Sequence, residues 1–101
     1  MSRMHLIATV PNEGARRLAW WIGQLGPDAY DAFAAAMGSH VSFVDRILAG
    51  EIVPAAHLAQ RIGAVTSDFI DRRDWRRPAA GGWFDPVAPR DGSARCGRRA
   101  A

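Results

Sequence analysis

Arginine is the residue type in this sequence best suited to binding an anion, and its distribution along the chain is uneven. All 13 basic residues are arginine, there are 10 acidic residues, and the formal net charge is +3. Residues 1–70 carry five arginines and six acidic residues, whereas residues 71–101 carry eight arginines and four acidic residues. Bulk charge therefore does not identify the first two thirds of the chain as a nucleic-acid binder, and the positions of individual arginines must decide.

The other residue types that carry out chemistry do not form a recognisable site. His5, His40 and His57 are widely separated, and Cys96 is the single cysteine. A zinc site needs clustered cysteine and histidine ligands, so we expect no metal. The pair Gly81-Gly82 follows no predicted strand and opens no helix, which argues against a phosphate-binding loop. No serine stands next to a base in a catalytic order, so we expect neither an enzyme nor a cofactor.

Length and hydropathy indicate one small folded domain. The chain has 101 residues, of which 49% are hydrophobic, too many for a wholly disordered protein. No apolar run reaches the roughly 20 residues needed to cross a bilayer. The apolar run near the start is too short for a secretory signal. We therefore expect a soluble protein of the cytoplasm.

Helical periodicity predicts an all-α domain over residues 12–75. Asn12 and Asp28 are expected to cap the first two helices, and Asp71 a last short turn that ends at Trp75. The apolar residues that recur at helical spacing fall into four groups: Leu18, Trp21, Ile22 and Leu25; Tyr30, Phe33, Ala34 and Met37; Val44, Ile47 and Leu48; and Leu58, Ala59, Ile62 and Val65.

Both flanks of this domain lack helical periodicity. We expect residues 1–11 to form an N-terminal arm and residues 76–101, rich in Arg, Pro, Gly and Ala, to form a flexible tail. Trp83-Phe84 is the one apolar island of the tail, and the sequence leaves open whether it packs back on the domain. The arginines of the tail are either a solvated end or a nonspecific clamp on DNA or RNA.

Residues 30–50 predict two short helices joined by a sharp turn. The first ends at Gly38, which can adopt the positive φ of a tight turn, and the second runs from Val41 to Leu48 and ends at Gly50. Ala34 is small where the two helix axes must approach each other. This is the helix-turn-helix arrangement, in which the second helix presents a polar face to the major groove of DNA.

At these residues the sequence resembles the lambda-repressor and Cro-like helix-turn-helix family (xenobiotic-response-element type), including short prophage-type regulators. The run AAAMGSHVSFVDRILAG at 34–50 is similar to the core of that family, and PAAHLAQRIGAVT at 54–66, followed by Asp74-Trp75, resembles its fourth and fifth helices. The similarity extends over about residues 15–75. It implies a compact domain of four or five helices that binds double-stranded operator DNA as a homodimer and regulates transcription.

The resemblance also implies which residues face DNA. By position they are Tyr30, His40, Val41, Ser42, Phe43, Asp45 and Arg46, with the Tyr30 hydroxyl against a phosphate. Val41 stands where the family commonly has a glutamine that hydrogen-bonds an adenine, so it offers only contact with a thymine methyl. His40 replaces the usual small N-cap residue. Asp45 points an anion toward the phosphates unless it pairs with Arg46 or accepts from a cytosine amino group.

Affinity for DNA depends on how many phosphates the arginines neutralise. In the helical body Arg16, Arg17 and Arg46 are expected to do so, with Arg3 as a further candidate. The pairs Arg72-Arg73 and Arg76-Arg77 add contacts if they lie on the same side of the molecule.

A competing interpretation is a non-enzymatic protein-interaction module on the same fold, with a degenerate DNA-reading face. Val41, Asp45 and the excess of acid over arginine in residues 1–70 favour it. Trp20, which lies off the first apolar stripe, is either a dimer contact or a partly covered surface aromatic. Phe43 is either a thymine contact or a core residue, and Arg46 either reads DNA or pairs with Asp45 or Glu51.

Overall fold

The chain folds as a bundle of short helices, seen here in a computed structural model that describes residues 6–26 and 28–87. Four α-helices are present: α1 (Glu13–Leu25), α2 (Ala29–Ala36), α3 (Val41–Leu48) and α4 (Ala56–Val65). A 3₁₀ helix (Arg72–Arg76) follows α4. The described residues contain no β-strand, so the all-α prediction is confirmed for them. None of the helices in these ranges has the length and apolar character of a membrane span.

Helix α1 lies at the centre of the packing, because it contacts α2, α3 and the 3₁₀ helix, while α4 packs on the 3₁₀ helix. The predicted apolar stripes supply most of the core. The buried apolar side chains include Ala15, Leu18, Ala19, Ile22, Tyr30, Phe33, Ala34, Met37, Val44, Ile47, Leu48, Ala59, Ile62 and Ile70. Trp21 is half-buried and meets the ring of Phe33 edge-on, at 5.9 Å between ring centroids.

Two details of the predicted helices are wrong. Leu25 was expected in the first apolar stripe but is 60% exposed, because the core face of α1 ends at Ile22 and the last turn projects beyond it. Asp28 occupies the position before α2 in a helical conformation and its side chain makes no capping bond. Asn12 does cap α1, since its side-chain oxygen accepts from the Ala15 N–H at 2.7 Å.

The packed structure continues past Trp75, the residue at which helical periodicity predicts the end of the domain. Arg16 on α1 is only 4% exposed, and its guanidinium donates to the carbonyl oxygens of Gly82 (3.3 Å) and Pro86 (2.8 Å). The Trp83 indole donates to the Ile7 carbonyl at 2.7 Å. Residues 76–87 are therefore part of the folded unit rather than a flexible tail, because a buried arginine needs the acceptors that this segment supplies.

The apolar island Trp83-Phe84 is split by this packing. Trp83 is 8% exposed and joins the core, whereas Phe84 is 86% exposed. The expectations for residues 1–5 and 88–101, which include Arg3, His5 and Cys96, concern parts of the chain outside the described residues.

Candidate nucleic-acid interface

The turn between α2 and α3 has the hydrogen bonds that end a helix at a glycine. Gly38 has a φ of 68°, and its N–H donates to the Ala35 carbonyl at 2.9 Å while the Ser39 N–H donates to the Ala34 carbonyl at 2.9 Å. This is the Schellman pattern, which needs a left-handed residue at the position that Gly38 occupies. The chain reverses sharply there and brings α3 directly onto α2, as the sequence predicted.

The same pattern ends α3. Gly50 has a φ of 80°, its N–H donates to the Ile47 carbonyl at 3.1 Å, and the Glu51 N–H donates to the Arg46 carbonyl at 2.9 Å. At the other end His40 is the N-cap, since its Nδ1 accepts from the Ser42 N–H at 3.1 Å. Both ends of α3 are thus fixed by local hydrogen bonds.

Helix α3 has one buried and one open face. Val44, Ile47 and Leu48 are at most 1% exposed and anchor the helix in the core. On the other side of the helix, three residues are exposed: His40, Ser42 and Arg46. Three more are half-buried: Val41, Phe43 and Asp45. Val41 and Phe43 pack partly against the core, so Phe43 combines the two roles that the sequence left open. The exposure of His40, Ser42 and Arg46 leaves this side of α3 open to solvent.

Arg46 is the cation at the centre of this face. Its side chain is exposed, and it makes no ion pair with Asp45, Glu51 or any other described residue. A guanidinium presents five N–H donors in a rigid fork that matches a phosphate or the edge of a guanine. The geometry therefore leaves Arg46 able to bind an anionic or acceptor-rich partner.

Tyr30 lies in the core, which corrects its expected place against a phosphate. The residue is 2% exposed, its hydroxyl donates to the Asp45 carboxylate, and the Val41 carbonyl lies 3.2 Å away. The apolar ring belongs to the buried face of α2, and its polar tip reaches α3. Tyr30 thus positions α3, and the Asp45 carboxylate is engaged by this hydroxyl instead of by Arg46.

Burial, together with the neighbouring Asp45 carboxylate, raises the pKa of Tyr30 well above its ordinary value of 10.0. A raised pKa in the folded state means that the native protein retains the phenol proton where the unfolded chain loses it. The associated stability is therefore complete below pH 10.0 and is lost as the pH rises through the native pKa.

Because Tyr30 is the single tyrosine, tyrosinate absorbance reports on this group alone. We expect the native protein to show no tyrosinate band about one unit above the ordinary pKa, where the urea-unfolded chain is ionised. Asp45→Asn is expected to titrate between the two, since burial remains and the carboxylate is removed. Coincident titration of native and unfolded wild-type protein would contradict this hydrogen bond.

Two arginines expected at the interface are instead internal. Arg16 is buried against Glu13, with 2.9 Å between NH1 and Oε2. The Arg17 side chain is 11% exposed, lies 3.2 Å from the same carboxylate oxygen and stacks over the Phe69 ring at 5.1 Å. Glu13 is one turn away on α1, but the backbone acceptors are distant along the chain: Arg16 donates to the carbonyl oxygens of Gly82 and Pro86, and Arg17 to that of Phe69. Sequence periodicity therefore did not reveal the burial of these arginines. Neither is available to a phosphate.

A second group of arginines is brought together where α4 meets the 3₁₀ helix. Arg72, Arg73 and Arg76 line a cavity of about 290 Å³ together with Pro54, Ala56 and Ala59. Arg77 is outside this group and lies 3.5 Å from Asp74. Periodicity cannot place these arginines, because their convergence depends on how the 3₁₀ helix packs.

No group of three or more potential metal ligands occurs among residues 6–26 and 28–87. Comparison of the chain with protein-family models, with curated proteins and with solved structures gave no match.

Proposed function

We propose that this chain is a sequence-specific DNA-binding regulator of transcription, with a helix-turn-helix domain like that of the lambda-repressor and Cro-like family. Helix α3 is the recognition helix. The observation that carries the proposal is the division of α3 into a face anchored by Val44, Ile47 and Leu48 and an open face that carries an unpaired Arg46. A helix held in this way can enter the major groove without losing its packing.

Each residue on the open face has a chemical role in this proposal. Arg46 donates to base edges or phosphates, and Ser42 adds a hydroxyl that serves as donor or acceptor. Val41 and Phe43 offer apolar contact to thymine methyl groups. The Tyr30 hydroxyl donates to the Asp45 carboxylate, so the protein fixes the position of this anion, and Arg46 must supply the attraction to phosphates on this face.

The DNA partner is proposed to be bound by a homodimer, since two half-sites supply the affinity that one short helix lacks. An apolar cavity of about 200 Å³ lies between α1 and the segment that carries Trp83, and Trp20 and Phe84 line it. No residue of α3 lines this cavity, so a dimer contact through Trp20 would leave α3 free for DNA. The proposed activity would place the protein with the nucleoid in the cytoplasm.

The Arg46→Ala variant tests the proposal. One arginine contact to a base or phosphate contributes about 1–3 kcal/mol, so we expect the variant to bind duplex DNA at least about fivefold more weakly, with an unchanged circular-dichroism spectrum. Fluorescence anisotropy at about 50 mM and about 200 mM salt measures the affinity and its salt dependence. Arg61→Ala is the matched control, since Arg61 is an exposed arginine on α4.

Two outcomes would contradict the proposal. If wild-type protein does not bind duplex DNA at about 50 mM salt, the proposal of a DNA-binding regulator is wrong. If Arg46→Ala and Arg61→Ala bind equally well, α3 does not contact DNA through Arg46.

A protein-interaction module is the second candidate function. The burial of Arg16 and Arg17 favours it, because it removes two of the cations expected to contact phosphates. The half-buried Val41 and Phe43 would then contribute to a protein interface. This alternative predicts that α3 variants retain their weak, salt-dependent DNA binding but lose a protein partner.

A further inference from the structure

The cavity lined by Arg72, Arg73 and Arg76 is a strongly basic feature apart from α3. It lies between the start of α4, represented by Pro54, Ala56 and Ala59, and the 3₁₀ helix. Its volume of about 290 Å³ exceeds that of one phosphate group. No acidic residue lines it, and its three charged lining residues are all arginines.

The backbone that presents these arginines is firmly held. Trp75 is 2% exposed and Asp74 is 1% exposed, so both side chains between the arginines point into the protein. The Asp74 carboxylate accepts from the Asp71 N–H at 2.8 Å, which closes the first turn of the 3₁₀ helix. The positions of the arginine Cα atoms are therefore fixed by the core rather than by the arginines themselves.

Two of the three guanidinium groups lack a counter-charge within the described residues. Arg73 pairs with Asp71 at 2.9 Å, with its own side chain 73% exposed. Arg72 and Arg76 take part in none of the ion pairs formed by the described residues. The N-terminus of α4 begins without a side-chain cap and adds its partial positive charge to theirs. An anion in this cavity would relieve the mutual repulsion of the guanidinium groups.

The geometry points to this cavity as a binding site for a phosphate group. Arginine binds phosphate oxygens through paired N–H donors, and three arginines around one cavity can surround a single phosphate. Residues 49–55 connect α3 directly to the cavity wall, since Pro54 and Ala56 form part of it. We assign the phosphate to the DNA backbone beside the site contacted by α3, an assignment that rests on the proposed function. A small phosphate-containing ligand has the same chemistry and is distinguished below.

The test uses single substitutions in the full chain and two probes, duplex DNA and inorganic pyrophosphate. Arg72→Ala and Arg76→Ala each remove one cavity arginine, and Arg61→Ala removes one exposed arginine from α4 outside the cavity. All three side chains are exposed, so we expect all three variants to fold. Binding of DNA is measured by anisotropy over a series of salt concentrations, and binding of pyrophosphate by calorimetry.

If the cavity binds a phosphate of the DNA backbone, each cavity variant is expected to bind all duplex sequences more weakly by a similar factor. The slope of log affinity against log salt is expected to decrease in magnitude by about one. Arg46→Ala should instead relax the preference among sequences. Arg61→Ala should change neither quantity. This pattern would support the cavity as a DNA phosphate site.

The outcomes separate this inference from the proposed function. If the wild-type protein binds pyrophosphate and both cavity variants lose that binding while DNA affinity is unchanged or absent, the cavity is a phosphate site for a small ligand. If DNA binding depends on Arg46 but the cavity variants match Arg61→Ala with both probes, the inference is overturned while the proposed function stands.

Discussion

Arg16→Met is expected to destabilise the fold by about 3 kcal/mol, because it removes one partner of a buried ion pair. Arg16 is 4% exposed and Glu13 is 6% exposed. The Glu13 carboxylate would keep only the Arg17 contact at 3.2 Å and the Ala80 N–H at 2.8 Å. The carbonyl oxygen of Pro86 would lose its donor at 2.8 Å.

The expected loss is large relative to the total stability, which for small domains is about 5–15 kcal/mol. Urea denaturation followed by circular dichroism measures it. Arg61→Met is the control and should lie within about 0.5 kcal/mol of wild type, since Arg61 is an exposed residue.

A second variant makes this prediction testable even if Arg16→Met fails to fold. The double variant Glu13→Gln/Arg16→Met removes both charges and should be more stable than Arg16→Met alone, because the buried side chain at position 13 then no longer carries a charge that only Arg17 balances. An Arg16→Met protein within about 1 kcal/mol of wild type would show that this pair does not hold residues 76–87 on α1.

Gly14→Ala is expected to destabilise the protein, whereas Gly23→Ala in the same helix is expected to stabilise it. A Cβ atom at Gly14 would lie 2.3 Å from Cδ2 and Cε3 of Trp75, and this rigid ring is 2% exposed. Overpacking of this kind costs about 1–3 kcal/mol. At Gly23 nothing lies within 4 Å of the new atom, so the helix gains about 0.5–1 kcal/mol from the better propensity of alanine.

Thermal unfolding of the two alanine variants compares them directly. The midpoint should fall for Gly14→Ala and rise for Gly23→Ala. If the unfolding midpoint rises for both variants, Trp75 does not pack against α1. Such a result would also contradict the anchoring of the 3₁₀ helix through Trp75.

The helices were predictable because their signals are local. The apolar stripes of α2, α3 and α4, the Asn12 cap and the turn at Gly38 follow from residues within a few positions of each other. The same holds for the division of α3 into a buried and an open face. His40 was recognised as an unusual N-cap, and it fills that role with its ring nitrogen.

The errors at Tyr30, at Arg16 and in residues 76–87 share one physical cause, which is pairing between segments that are separated in sequence. Helical spacing places Tyr30 among the core positions of α2, whereas the family resemblance places its hydroxyl against a phosphate. In the structure Asp45 on the next helix accepts from that hydroxyl. The segment 76–87 has the composition of a tail, yet its carbonyl groups solvate Arg16. Composition records neither partner, so burial of these polar groups emerges only from the fold.

Mapping of backbone amide chemical shifts during titration with duplex DNA tests most directly whether α3 is the recognition helix. The protein is labelled with nitrogen-15 and titrated at about 50 mM salt. We expect the largest changes at His40, Ser42, Phe43 and Arg46, with smaller changes at the buried residues of α3. Absence of any change, or changes restricted to the surface near Trp20 and Phe84, would contradict the assignment of α3 to DNA.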